Sequence, residues 1–394
     1  MKKVDDRDED ETPSFIPFAA FDPPDLPTDE RLRRWIARFH ALFRRGQEGS
    51  FIADDRLQSN TLERLDEVVA PPATGPVIDE LEATIQPWLA RQPLERRFKL
   101  IILPPCDESD IVRVWAEQGK HSCLQPPPRD TLCDATLTLE DLPGSGLLVV
   151  SRLERWFIRE RGCLATVRNL LEVLEASDRP CVISCNSWAW SYLRTALQAD
   201  AVMPPGMIFK PFDGPRLQRW FAELARNDLT QGVRFRSSAT GKDVLSRDAG
   251  DGDGDGEFFA RLGARSRGIP WVAWHLWRRS LRRDRDGGGA ETTAKVVVEP
   301  GEETLWIAAL DELVLPGEHP QSALLVFHAL LIHGTLTIEE LRRTVPAISQ
   351  SNVVSALVMS GFLERDGDGV RCRAAAYPAI RQGLSKAGYP KDGL

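Results

Sequence analysis

Three short stretches carry residue types that could handle phosphate, a metal ion or an attacking water, and each contains an apolar run. Residues 146–157 read GLLVVSRLERWF, so Ser151, Arg152 and Glu154 follow the run from Leu147 to Val150. Residues 99–110 read KLIILPPCDESD, and residues 180–187 read PCVISCNS. A strand that ends in an Asp–Glu pair can hold Mg²⁺ with the first carboxylate and activate a water with the second. A loop between strand and helix can cradle phosphate when glycines let backbone N–H groups approach and a Lys and a Ser or Thr follow. Here Ser151 and Arg152 stand where the acidic pair would be. The loop 103–110 has no glycine, and Ser109 stands in the Lys position. Pro104 and Pro105 have no N–H to donate. Asp107, Glu108 and Asp110 would oppose a polyphosphate, at about 1–4 kcal/mol per pair of like charges near a surface. The same acids suit a helix start, which accounts for them without any ligand.

Other groups carry less. Seven cysteines, an odd number without a spacing pattern, fit a reducing compartment. Cys181 and Cys185 flank VIS in an apolar run and read as small core residues, because no second Cys/His pair lies near them. No metal and no cofactor is expected. The run DAGDGDGDGE alternates Asp251, Asp253 and Asp255 as a calcium loop does, but the twelfth position counted from Asp251 is Leu262 instead of a bidentate Glu. It reads as a flexible acidic linker. The histidines (His40, His121, His275, His319, His328 and His333) are scattered, and they form no catalytic arrangement with Ser or Cys. Tryptophan is in excess, 11 against 3 Tyr. Core packing and an exposed partner patch both explain such an excess. The contact reading assigns Trp35, Trp156, Trp188, Trp190, Trp271 and Trp274 to a protein partner.

The elements that must position these residues follow from periodicity. The chain has 394 residues, enough for two or three domains. Its 42% hydrophobic and 27% charged residues are ordinary for a globular protein. A net charge of −8 argues against general affinity for nucleic acid or anionic membrane. No window approaches the roughly 20 apolar residues that span a bilayer. The start, MKKVDDRDEDET, has no apolar core and reads as no signal peptide, so a cytoplasmic protein is expected. An acidic, extended tail is expected over 1–29. A helical segment follows over 30–95, with an apolar stripe on helix 30–46 and a second helix from Val77 to Leu89 that Pro87 kinks or ends. Strands and helices alternate over 96–227, with helices at ESDIVRVWAEQG, CLATVRNLLEVLEAS, SWAWSYLRTALQA and GPRLQRWFAELA. Continuous apolar strands between helices predict an α/β unit with a parallel sheet covered on both faces. An acidic, Gly-rich linker over 228–256 and a helical region over 257–290 follow. KVVVEP and TLWIAAL read as strands. Residues 320–373 read helix, helix, helix, strand, turn, strand, with the hairpin FLERDGDGVRCR. Residues 291–394 thus read as a winged-helix domain.

The element order over 99–224, with the helices near 257–283 as a lid, resembles an AAA+-type P-loop ATPase. The origin-recognition branch of that family carries a winged helix after the lid. The resemblance implies a nucleotide site at Pro104, Pro105, Ser109, Ser151, Arg152, Glu154 and Asn186. Asn186 would take the place of the residue that senses the γ-phosphate, although Asn after a strand is also a common helix cap. Glu154 would need a short helix or turn to swing back into the place of the missing base. The lid Arg expected three residues after a Gly falls on Trp271, with Arg265 and Arg267 nearby. Donor, cation, metal ligand and base are lost together, which predicts a non-catalytic P-loop fold.

The third helix of the C-terminal unit, residues 349–359, has no Lys or Arg, so the electrostatic part of DNA affinity is missing there. Gln350, Ser351, Asn352 and Ser355 remain for base contacts. The main basic cluster is Arg278, Arg279, Arg282 and Arg283, with Arg285 beyond, and it reads as a solvated helix face or as a phosphate or acidic-partner contact. The expected function is that of an interaction or scaffold protein that assembles with itself or a protein partner. Two alternatives remain open: a DNA-associated regulator using the winged helix and the Arg cluster, and a residual ATPase using Glu154, Asn186 and Arg267. Function is expected on the surface around Arg152, Arg155 and Trp156.

Overall fold

The computed structural model describes residues 15–26, 57–59, 75–91, 96–224, 233–245, 255–284, 303–310, 313–315 and 320–394. Trp35, helix 30–46, Asp251, Asp253 and Arg285 lie outside the described residues. Strands β1 (Phe15–Pro17) and β2 (Leu57–Ser59) and helix α1 (Gly75–Leu89) come first. An alternation follows: β3 (Phe98–Leu103), α2 (Ile111–Gln118), β4 (Ser122–Cys123), β5 (Leu148–Val150), α3 (Ala165–Ala176), β6 (Cys181–Asn186), α4 (Ser187–Leu197), β7 (Met207–Phe209) and α5 (Gly214–Leu224). The central sheet runs β1-β7-β3-β6-β5-β4. Every pair in it is parallel except β1 on β7. This is the parallel α/β core that the sequence predicts.

The middle of that sheet is its most apolar part. Leu100, Ile101 and Ile102 of β3 lie beside Ile183, Ser184 and Cys185 of β6, and all six are buried. Burying one such aliphatic side chain contributes about 1.5–3 kcal/mol. Cys181 and Cys185 are part of this core, as expected, and burial pushes the Cys181 thiol up to about 12. Pro87 stays inside α1, which ends two residues later at Leu89.

A second sheet departs from the expected layout. It contains β8 (Val233–Ser237), β9 (Leu281–Asp284) and β10 (Glu303–Ile307) with β2, in the order β2-β9-β10-β8. β8 lies within the stretch read as linker. β9 lies within the stretch read as helix: α6 (Asp255–Ser266) and α7 (Pro270–Ser280) end before it. Leu281 leaves the helical region because its strand pairs with Ile307, and Arg282 then lies beside Trp306. Leu262, the residue at the calcium-loop Glu position, is a buried core residue of α6. Gly268 turns the chain between α6 and α7 at φ +71°, and a Cβ there would sit 2.6 Å from Pro211 Cβ.

The C-terminal unit has α8 (Pro320–His333), β11 (Thr335–Thr337), α9 (Ile338–Thr344), α10 (Val353–Met359), β12 (Leu363–Asp366), β13 (Gly369–Cys372) and α11 (Tyr377–Lys386). Its sheet order is β11-β13-β12, and Asp366 faces Gly369 across the tight turn. Three helices followed by a β-hairpin appear as the sequence reading has them, with β11 and α11 in addition. α9 starts with a capping box: Thr337 Oγ1 accepts from Glu340 N at 3.2 Å and Glu340 Oε2 accepts from Thr337 N at 2.8 Å.

The tryptophans correct the contact reading. Trp156, Trp188, Trp190 and Trp274 are buried in the core, and Trp271 is half-buried. Trp277 packs on Phe221 and Phe235 with ring centroids 4.7 and 5.2 Å apart. Apolar spacing on helices around two sheets uses large rings to fill the gaps between layers. With Trp156 fully buried, the expected functional surface around Arg152, Arg155 and Trp156 is no aromatic patch.

Candidate functional site

The loop after β3 turns tightly without glycine. Cys106 and Asp110 both take left-handed backbone conformations, at φ +65° and +50°. Such conformations cost about 1–2 kcal/mol for a residue with a side chain, least for Asn and Asp. The Asp107 carboxylate then closes over the start of α2. Its Oδ1 accepts from Ser109 N at 3.0 Å and Ser109 Oγ at 2.8 Å, and its Oδ2 accepts from Ile111 N at 3.3 Å. These are the amide donors that a helix N-terminus offers to a bound phosphate. The chain's own anion takes them, so the helix-start reading of the acids holds for Asp107.

Arg152 supplies the matching cation. It follows β5 at φ +52°, its N–H donates to Ser184 Oγ at 2.9 Å, and its side chain reaches into the loop. Nη2 donates to the Asp107 carbonyl at 2.7 Å, and Nε lies 3.1 Å from Asp110 Oδ2. Asp110 also meets Arg113 at 3.3 Å. Ser151 beside it is half-buried.

Glu154 does swing back. A one-turn helix over Leu153–Arg155 buries it and brings Oε2 to 3.1 Å from Asn186 N, which donates to it. Burial raises its pKa, opposed by the charge of Arg152. Asn186 acts as a cap: its Oδ1 accepts from Ala189 N at 2.7 Å, and its Nδ2 donates to the Ile332 carbonyl at 3.0 Å. Both ends of the amide are therefore used, one of them by the C-terminal unit. At the lid position, Trp271 Nε1 donates to the Pro105 carbonyl at 2.9 Å. Arg267 donates to the Leu394 carbonyl at 2.9 Å and Arg265 to the Leu310 carbonyl, and neither lines the cavity beside the loop. The structure thus brings together Pro104, Pro105, Arg152, Glu154 and Asn186, and leaves Arg265 and Arg267 elsewhere.

Sequence reasoning missed what covers the site. The C-terminal unit contributes Thr335, Asp366, Arg371 and Cys372 to the same cavity, which measures about 60 Å³. Arg371 lies 3.0 Å from Glu108 and 2.8 Å from Glu364. His275 adds a contact to Glu108 at 3.5 Å. Hydrogen bonding to His275 and the charge of Arg371 hold the Glu108 carboxyl below its usual value, against burial. Burial pushes the Cys106 thiol up to about 12, which leaves it no nucleophile. A volume of about 60 Å³ is far below the about 300–1,000 Å³ of ligand sites. A nucleoside triphosphate does not fit this cavity.

Further contacts fix the C-terminal unit in place. The Arg159 N–H donates to His333 Nε2 at 3.2 Å, and Arg159 Nη1 lies 2.9 Å from His328 Nδ1. Burial and neighbouring arginines lower the pKa of both rings, His328 to about 4, so both are packed and neutral. Arg343 reaches Glu160 at 2.6 Å. Beside it, Cys133 and Cys163 form a disulfide, which the reading of the seven cysteines as fitting a reducing compartment did not anticipate. Cys133, Glu160 and Cys163 make the one group among the described residues with metal-ligand spacing, and the disulfide removes both thiolates from it. The basic cluster is also rearranged. Arg278 and Arg279 end α7, with the Arg278 guanidinium 5.2 Å from the Trp274 ring centre, while Arg282 and Arg283 lie on β9. It is therefore not one helical face.

No protein-family model and no curated protein matches the sequence. Among solved structures, the chain is similar to a RuvB variant from Thermotoga maritima, at 14% identity over 83% of this chain and 97% of that one, with a TM-score of 0.33. It is similar to the ORC2 protein of Aeropyrum pernix, in ADPNP–ADP complexes, at 12% identity over 86% and 97% of the two chains, with a TM-score of 0.32. It is also similar to the ORC1 protein of Aeropyrum pernix in complex with DNA, at 13% identity over 86% and 99%, with a TM-score of 0.30. These superpositions are loose.

Proposed function

We propose that this chain is a non-catalytic interaction protein in which an AAA+-like nucleotide site has become a structural joint. One observation carries the reading: the Arg152 guanidinium and the Asp107 carboxylate fill the loop after β3 and are bonded to the loop itself. Three more support it. The cavity is too small for a nucleotide, Asn186 is spent on a cap and on Ile332, and Trp271 holds the Pro105 carbonyl where a lid Arg would reach in. The residual-ATPase reading needs Glu154 free to activate water. Its oxygen instead accepts the Asn186 N–H in a buried setting.

Phosphate release from Mg²⁺–ATP by the purified full chain tests this. The expected rate equals that of the buffer blank. Turnover that Glu154→Gln abolishes would overturn the proposal.

A further inference from the structure

At the opposite end of β3 from the phosphate loop, a pocket of about 230 Å³ opens where α1 ends and β3 and β7 begin. Trp88, Phe98 and Met207 form its apolar part, and Arg91, Arg96 and Lys99 stand around it. The Trp88 ring is fixed, because Nε1 donates to the Arg96 carbonyl at 3.1 Å, so its remaining surface is apolar. The three cations have no ion pair among the described residues. Arg97, between them in sequence, does have a carboxylate, Asp178 at 2.7 Å. Burial, and after it the charge of Arg91, lowers the Lys99 pKa, so an anion there would relieve like-charge repulsion.

The pocket's size narrows its occupant. Small-molecule sites run to about 300–1,000 Å³, and this one is smaller. It suits one large apolar side chain entering from a partner, the usual form of an interface anchor. Single-stranded nucleic acid needs a longer cationic track with successive stacking rings. We propose that the pocket docks an acidic segment of a protein partner, seating one large apolar side chain against Trp88, Phe98 and Met207 with carboxylates on Arg91, Arg96 and Lys99. This names a partner class for the interaction reading above and fails separately from it, since ATP turnover reads the joint and peptide binding reads this pocket.

The probe is a fluorescein-labelled heptapeptide with a central Phe and three Glu on either side, titrated against the full chain at low salt by anisotropy. Saturable binding is expected, weakened at least about tenfold, or 1.4 kcal/mol, when the Phe is replaced by Ala. The same loss is expected from Arg91→Glu/Arg96→Glu, two exposed positions whose change leaves the fold intact. Arg219→Glu, on the exposed face of α5, should leave binding unchanged. No binding at millimolar protein, or an equal loss with Arg219→Glu, overturns the proposal. So does tighter binding of oligothymidylate that the double variant removes.

Discussion

Arg152 makes three contacts that depend on one another. Its backbone is held by Ser184, and its guanidinium meets both Asp110 and the Asp107 carbonyl. The side chain of Asp110 is only 8% exposed. Removing Arg152 leaves the buried Asp110 carboxylate with Arg113 as its remaining counterion, which costs up to about 3 kcal/mol. Arg152→Ala should therefore lower the denaturation midpoint by that equivalent, and Arg152→Leu/Asp110→Leu should recover part of it, because apolar replacement of both partners is often neutral. Glu154 gives a pH signature. Its pKa is raised above 4.5 in the folded state by burial, so the folded chain binds more protons than the unfolded chain in the window that starts at 4.5. Stability then falls as pH rises through that window. Glu154→Gln keeps an acceptor for the Asn186 N–H and should remove this slope. The difference between the wild-type and variant melting curves from pH 4.5 to 7 measures it. Of these residues, Ser151, Arg152 and Glu154 were legible as departures from a motif. The partners of Arg152 were not, because a side chain that crosses from one strand end to the next loop leaves no spacing signal in the sequence.

The elements were legible where apolar periodicity was strong. β3 and β6 are continuous apolar runs, and α2, α3 and α4 repeat apolar residues every three to four positions. β8 and β9 were missed for a physical reason. VRFRS and LRRD hold one or two apolar residues each, and pairing with β10 decides their conformation more than local propensity does. The disulfide was equally invisible, because the stretch between Cys133 and Cys163, 30 positions apart, carries no pattern. A closed loop of that length stabilises the fold by about 3.5 kcal/mol through the unfolded chain, so Cys133→Ser should lower stability by about that amount. Chemical denaturation with and without reductant checks it: reductant should shift the wild type toward the variant and leave the variant unmoved. α10 sets another expectation. Ser351 and Asn352 just before it and its own Ser355 and Met359 are exposed and uncharged. Nearby, Arg343, Arg371 and Arg373 are engaged with Glu160, Glu108 and Glu364. A salt-titrated assay with duplex DNA should show no binding even at low salt, since phosphate neutralisation supplies most non-specific affinity. Binding that steepens as salt falls would favour the regulator reading.

At the scale of the whole molecule, the C-terminal unit is set against the core beside the loop that follows β3. Asn186 to Ile332, Arg371 to Glu108, Arg159 to His333 and Arg343 to Glu160 join the two across one face. Among the described residues no helix is long and apolar enough to cross a membrane. The parallel core could be read in advance. The docking could not, because it depends on contacts between residues more than 140 positions apart, such as Asn186 with Ile332. The most direct measurement of the joint is isothermal titration of Mg²⁺–ATP into the purified full chain. With Arg152 and Asp107 filling the loop and only about 60 Å³ left beside it, no saturable heat is expected up to millimolar nucleotide. Stoichiometric binding at micromolar concentration, lost in Glu154→Gln or Asn186→Ala and retained in Arg91→Glu/Arg96→Glu, would contradict it.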